Sequence, residues 1–462
     1  MQSNENLSDC YLSNDPIYSD SFEESDVSDQ IIDDPNNDSS DISSEYCDIE
    51  SQIHNSKDGE NWSSVPNKQN SRICSENILK FVPGFKSKCL KKIKTSWDAL
   101  CQFIDTEMLQ TIVMSTNEYL KKEKSGSLQI KINDFIKFIG TSLLIGMMKG
   151  KNMDFREFWS HKYGQALIYN TMSLKLFESI SSNLRFDIKN KRDKNDKLAP
   201  IRLIWDKFIS NCKLNYVPSD QMTIDEQLVT FRGRCGFKMF IPSKPGKYGI
   251  KIWALCDAKN AYLFNAKIYT GKENGVKEVN QGENIVKLLT IPLYKSGRNI
   301  TTDNFFTSLN LARFLLDQKL TLVGTVRKNK RFLPQEFQSS NGSAFKIQHL
   351  YQEKITLVKF NPKKNKSVVL LSSLHHSGEI DPQTRKPEII SYYNSTKGGV
   401  DTLDQVIRFF STKRKTRRWP MAIFYNMIDI AAYNAYLLYC QANSEFTEKY
   451  GNRSRKENFS NY

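Results

Sequence analysis

The sequence predicts an α/β protein, in which a helical part leads into a mixed sheet flanked by helices, all behind an acidic tail. Three observations carry this. Apolar residues recur at helical spacing between residues 75 and 218. From Gln221 the period shortens to that of strands, after which strand and helix patterns alternate. Residues 1–60 hold 17 Asp or Glu and a single Lys, Lys57, a net of −16 that leaves +31 for residues 61–462 of a chain whose net charge is +15.

Residues 1–74 are rich in Ser, Asp, Asn and Glu. They hold too little apolar surface to offset chain entropy, so a disordered acidic tail is expected. Ile78, Leu79, Phe81 and Val82 then lead into the basic stretch Lys86–Lys94. Helices are expected around Leu100–Ile112, Phe135–Met147, Leu176–Leu184 and Ile201–Phe208, so 75–220 is the first part of a helical domain. Met222–Ile224 precede Asp225 as a strand, and Tyr248–Asp257 and Ala261–Tyr269 read as paired strands joined by Ala-Lys-Asn. Gly282–Tyr294 and Ser308–Gln318 are helix candidates, and Arg298–Asp303 and Leu320–Val326 strand candidates, which makes 221–327 the first part of an α/β core. Residues 328–387 are irregular, with short strands expected at Ile355–Phe360 and Ser367–Leu371, and read as an insertion. Residues 388–410 return to the core; 411–462 hold a basic run and a long apolar helix, the second helical part.

A body this basic suits a polyanionic partner, nucleic acid above all. The nine cysteines are scattered without any C-x-x-C pair, which excludes a zinc-ribbon pattern and a secreted disulfide scaffold. The N-terminus is polar, so no signal peptide is expected. The most apolar window, Trp419–Cys440, contains Pro420, Asn426, Asp429 and Asn434, which argues against a membrane span.

Three stretches carry chemistry: Thr223–Leu228 (TIDEQL), Ile300–Thr307 (ITTDNFFT) and Lys397–Gln405 (KGGVDTLDQ). Asp225 and Asp303 fall at the ends of expected strands, where a buried carboxylate is costly without a compensating cation or donors. Asp401 and Asp404 are three apart and share a helix face. Phosphoryl transfer on DNA uses this residue type: two divalent ions about 3.5–4 Å apart activate one oxygen and steady another, and Mg²⁺ takes hard oxygen ligands. A strand-end Asp is also an ordinary turn or helix cap, and the residues alone leave that reading open.

The run Thr223–Gly249 (TIDEQLVTFRGRCGFKMFIPSKPGKYG) resembles the piggyBac transposases. So do Asn299–Ser308 (NITTDNFFTS), Val323–Arg331 (VGTVRKNKR), Tyr392–Gln405 (YYNSTKGGVDTLDQ) and Arg417–Met421 (RRWPM), in order from about residue 76 to 440. The resemblance implies an RNase H-like catalytic core with an insertion, flanked by a mostly helical DNA-binding and dimerisation domain. It places a catalytic, metal-binding triad on Asp225, Asp303 and Asp401, with Asp404 as a further acid of the site. It implies Mg²⁺, with Mn²⁺ as an alternative, a double-stranded DNA partner comprising transposon terminal repeats and a TTAA target, a homodimer, and work in the nucleus. Many members end in a cysteine-rich zinc-binding domain. Here only Cys440 lies beyond Cys256, so no zinc site is expected.

Arg232, Arg234, Lys238, Lys244 and Lys247 follow the first aspartate, and Arg327, Lys328, Lys330 and Arg331 follow the last core strand. Together with Lys413, Arg414, Lys415, Arg417 and Arg418 they are expected to neutralise phosphates. Trp419 either stacks on an unpaired base or is the first core residue of its helix. The run Lys413–Arg418 also matches a nuclear localisation signal. Two functions follow: a cut-and-paste transposase, or a transposase-derived DNA-binding protein without transposition. A nuclease that cuts without joining is a third, weaker reading.

Overall fold

A computed structural model describes residues 52–66, 79–123, 128–148, 153–162, 164–272, 278–443 and 446. Its strands are β1 (Ile53–Asn55), β2 (Asn61–Ser63), β3 (Gly84–Phe85), β4 (Tyr216–Val217), β5 (Gln221–Thr230), β6 (Met239–Phe240), β7 (Tyr248–Asp257), β8 (Leu263–Ile268), β9 (Asn299–Thr302), β10 (Thr321–Thr325), β11 (Ile347–Gln352), β12 (Ile355–Lys363) and β13 (Lys366–Ser372). Helices α1 (Ser87–Leu90), α2 (Ser96–Cys101), α3 (Thr106–Glu123), α4 (Ile132–Met147), α5 (Ala166–Thr171), α6 (Leu174–Asn183) and α7 (Arg202–Asn215) precede β5. They are followed by α8 (Gln281–Thr290), α9 (Leu309–Asp317), α10 (Gln335–Gln338), α11 (Glu388–Thr396), α12 (Gly399–Phe409) and α13 (Trp419–Ala442).

All strands but β3 and β4 form one sheet in the order β1-β2-β11-β12-β13-β10-β9-β5-β7-β6, with β8 also paired to β7. The β5–β7–β8 run is antiparallel. β9 is parallel to β5, and β10 is parallel to β9. Parallel neighbours need a crossover, and α8 and α9 supply the two in sequence. This is the strand arrangement expected of an RNase H-like core. The helices seen in the sequence form near their expected positions, with one break: the Leu100–Ile112 pattern divides into α2 and α3. Asp105 causes the break, because its carboxylate accepts the Met108 backbone N–H at 3.0 Å and caps the new helix.

The long apolar helix α13 is buried along most of its 24 residues and packs in this chain's own core, chiefly on α2, α12 and β5. Asn434 uses both ends of its amide on the Leu263 N–H and C=O, at 3.2 and 3.1 Å, and so joins α13 to β8. No helix among the described residues is long and apolar enough to cross a membrane.

Residues 328–387, expected as an insertion, carry β11–β13, and β13 pairs with β10, so these strands continue the core sheet. Two expectations change. The first strand does not end at Asp225: β7 pairs with β5 as far as Thr230 and holds Asp225 mid-strand. The low hydrophobicity that suggested a structureless tail through residue 74 also misleads over 53–63. There β1 and β2 pair with each other, and β2 adds to the edge of β11. One large residue drives it: Trp62 is fully buried, and its indole N–H donates to the Phe332 carbonyl at 3.0 Å. Glu60 adds a two-pronged ion pair to Arg313, at 2.7 and 2.6 Å. The rest of the expected tail, residues 1–51 and 67–74, lies outside the described residues. Trp62→Ala is expected to cost about 3–5 kcal/mol where the hairpin is docked. Hydrogen exchange should then rise across 53–63 while β5 and β9 stay protected.

Candidate active site

The site starts from strand alternation. Along β5, Thr223, Asp225 and Gln227 share one face, while Met222 and Ile224 enter the core on the other. β9 runs parallel with Thr301 opposite Thr223 and Thr302 opposite Ile224. Asp303, one residue beyond that last rung, therefore comes abreast of Asp225. Its carboxylate accepts the Phe305 N–H at 2.9 Å, turning the chain out of the sheet.

Helices α11 and α12 lie on this face. The Thr223 hydroxyl donates to the Thr396 carbonyl, and the Thr301 and Thr396 hydroxyls are 2.8 Å apart. A Cβ at Gly399 would stand 2.9 Å from the Thr223 oxygen, so only glycine lets α12 begin this close to β5. Val400, Leu403, Val406 and Ile407 bury the inner side of α12. Asp401 and Asp404 consequently face a cleft of about 630 Å³ that Lys244 and Arg408 also line.

Burial raises the Asp225 carboxyl well above the ordinary range, and repulsion from Asp303 and Asp401 adds to it. Asp303 is raised to about 6, mainly by burial. Asp404 is also raised to about 6 by burial, opposed by the Gln227 amide and by Lys244 and Arg408. Burial would lower Lys244, but Asp225, Asp401, Glu226 and Asp404 together raise it. Lys244 Nζ lies 3.8 Å from the exposed Asp401 carboxylate. Four acids thus share one face with one partly buried lysine among them. Among the described residues no three His, Cys, Asp or Glu side chains stand in metal-holding geometry. Asp401 is turned to Lys244 and Asp404 to Gln227. The donors are all hard carboxylate oxygens, the type that Mg²⁺ and Mn²⁺ prefer.

The expected DNA contacts divide. Arg232, Arg234, Lys247, Arg331, Lys415 and Arg417 are exposed. Arg327 stands beside the site, its Nε bonded to Asn304 at 3.0 Å. Lys328 bonds Ser340 at 2.8 Å, Lys238 bonds the Gly233 carbonyl at 3.2 Å, and Lys330 is half-buried. Four expected contacts meet partners inside the fold. Arg414 is buried, and Arg418 donates to the carbonyls of Ser182, at 2.7 Å, and Leu184. Trp419, half-buried, opens α13 and packs edge-on against Phe237 at 5.1 Å. Lys413 reaches the Thr230 carbonyl, joining this segment to β5.

Gln227, Thr396 and Asn426 escaped the sequence reading. Gln227 had a signal, since it lies two residues along the same strand face as Asp225. Asn426 had none, because its partner is 199 residues away.

The electrostatics set a stability test. Asp303 titrates near 6 in the folded chain, against about 3.9 unfolded. A raised acid holds its proton more tightly when folded, so its contribution is most favourable below about pH 4 and is lost as the pH rises through 6. Asn can still accept the Phe305 N–H. Without divalent ions, Asp303→Asn is expected to stabilise the protein by about 1–3 kcal/mol at pH 8 and not at pH 4, measured by thermal unfolding across pH.

Comparison with known proteins agrees with this geometry. The family model described as Transposase IS4 matches residues 95–436. The solved piggyBac transposase synaptic complex with hairpin DNA is similar at a TM-score of 0.77 and 37% identity, covering 82% of this chain and 81% of that one. Human PiggyBac transposable element-derived protein 3 is 25% identical over 370 residues, 75% of this chain and 61% of that protein. Human PiggyBac transposable element-derived protein 2 is 23% identical over 365 residues, 73% of this chain and 60% of that protein. The chain therefore spans about three fifths of the length of these human relatives. With its RNase H-like sheet and a family match over most of its length, this chain belongs to the piggyBac-type transposases.

Proposed function

We propose that this protein is a cut-and-paste DNA transposase that nicks DNA, forms hairpin ends and joins them to TTAA sites. The observation that carries the reading is the gathering of Asp225, Asp303, Asp401 and Asp404 on one face of the β5–β9 pair, between Lys244 and Arg327. Mg²⁺ or Mn²⁺ on Asp225, Asp303 and Asp401, with Asp404 alongside, would supply Lewis-acid activation of the attacking oxygen and charge compensation at the leaving one.

The chain's own groups do the rest. β5 and β9 hold two carboxylates abreast, and α12 brings two more from a separate element. Lys244 and Arg327 offer positive charge on either side, where a scissile phosphate would lie. Water adds to that phosphorus and the P–O3′ bond breaks, leaving a free 3′-hydroxyl. That hydroxyl attacks the opposite strand, exchanging one phosphodiester for another and closing the hairpin. Opening of the hairpin frees the 3′-end for the same exchange at the target.

Exposed Arg232, Arg234, Lys247, Arg331, Lys415 and Arg417, with Lys238, Lys328 and Lys330, are proposed to hold the backbone of double-stranded terminal-repeat and target DNA. Pairing of two ends implies a homodimer, and chromosomal DNA as substrate implies the nucleus. The second reading, a transposase-derived DNA-binding protein without transposition, is favoured by the human relatives, whose names describe them as element-derived.

Strand nicking of a terminal-repeat duplex in Mg²⁺ separates the two. Asp225→Asn, Asp303→Asn and Asp401→Asn should each reduce nicking by more than the roughly 100-fold that loss of an outer-shell partner costs, with DNA binding kept. Binding without nicking in the wild type would support the second reading. Arg234→Ala should leave nicking at saturation unchanged, weaken binding to all sequences alike, and lower the salt slope of binding by about 1. A fluorescence-anisotropy salt series measures this.

A further inference from the structure

We propose that Gln227 and Asn426 are positioning residues that fix the direction of the Asp404 carboxylate, so that the helical domain presets the catalytic cleft. The inference rests on the reading of Asp404 as part of a metal-dependent site. Gln227 Nε2 donates to Asp404 Oδ1 at 2.5 Å, and Asn426 Nδ2 donates to Gln227 Oε1 at 3.0 Å. Gln227 is 3% exposed, so neither end of its amide has an easy alternative in water.

The carboxylate dictates the direction of this relay. An ionised Asp404 only accepts, so the NH₂ of Gln227 must face it and the Gln227 oxygen must face away. Asn426 then has to present its own NH₂. One Asp404 oxygen is thereby occupied inside the protein, and the other lies 3.9 Å from Arg408 Nη2 on the cleft side. A carboxylate held by one oxygen cannot spin both into the cleft. Asn426 belongs to α13, Gln227 to β5 and Asp404 to α12, so three elements meet at this bond. A shift of α13 against the sheet would release Asp404 without touching any of the acids.

Asn426→Asp is close in shape and replaces the donor with an acceptor. It turns the Gln227 amide over and points its oxygen at Asp404. Gln227→Met is the second variant, similar in volume and without a donor. With the full chain, Mn²⁺ affinity is read from the signal of free Mn²⁺ in electron paramagnetic resonance, and nicking of a DNA end is read at limiting and saturating Mn²⁺. Each variant is expected to weaken Mn²⁺ binding by about 10–100-fold and to slow nicking at limiting Mn²⁺, with recovery at saturation. In an Asp404→Asn background Asn426→Asp should add nothing, because its effect passes through that carboxylate. Wild-type Mn²⁺ affinity and nicking in both variants overturns the proposal, as does an equal loss on top of Asp404→Asn. A wild-type chain that neither binds Mn²⁺ nor nicks DNA would overturn the metal-dependent reading together with it.

Discussion

The parallel pairing of β5 with β9 is the constraint on which the rest of the structure depends. Parallel strands in register bring residues of equal rank side by side, and here that rule sets Asp225 next to Asp303. Two carboxylates abreast in a half-buried place repel, and burial alone would favour their neutral forms. Features around them answer that repulsion. Lys244 sits among the acids, Arg327 stands behind Asp303, and a glycine lets α12 approach closely enough to add Asp401 and Asp404.

Other buried aspartates in the same chain show what a structural carboxylate looks like. Asp257, at the end of β7, receives the Tyr216 hydroxyl, the Ser219 N–H and hydroxyl, and the Lys259 N–H. Asp429 receives the hydroxyls of Ser411 and Thr412 and the Thr412 N–H. Those donors satisfy the oxygens and lock them. Asp225 has its neighbour's N–H, from Glu226, and otherwise faces like charges and one lysine. A carboxylate left this short of donors is suited to binding a cation, and the fold bears the cost of keeping it so.

The sequence made the core legible because its strands are long, apolar and evenly spaced. Tyr248–Asp257 forms a strand over the span its pattern marked, and Asp303 and Asp401 fell where a strand end and a glycine pair marked them, whereas Asp225 lies inside β5, which runs on to Thr230. What stayed hidden depends on partners far along the chain. Trp62 lies in an acidic, polar stretch, and its hairpin docks through partners far along the chain, Phe332 for Trp62 and Arg313 for Glu60. The basic run 413–418 reads as one surface, yet buried Arg414 and carbonyl-bound Arg418 are structural while Lys415 and Arg417 face solvent. Charge in sequence reports composition, and burial sorts it. The strands of 328–387 were visible, but their membership of the core sheet was not, because nothing local to β13 names β10 as its partner.

Anomalous diffraction from crystals of the protein grown with a terminal-repeat duplex and Mn²⁺ tests the central claim most directly. One or two Mn²⁺ peaks within coordination distance of Asp225, Asp303 and Asp401, against the DNA backbone, is the expected result. A well-ordered complex with DNA at the cleft and no Mn²⁺ on these aspartates would contradict it.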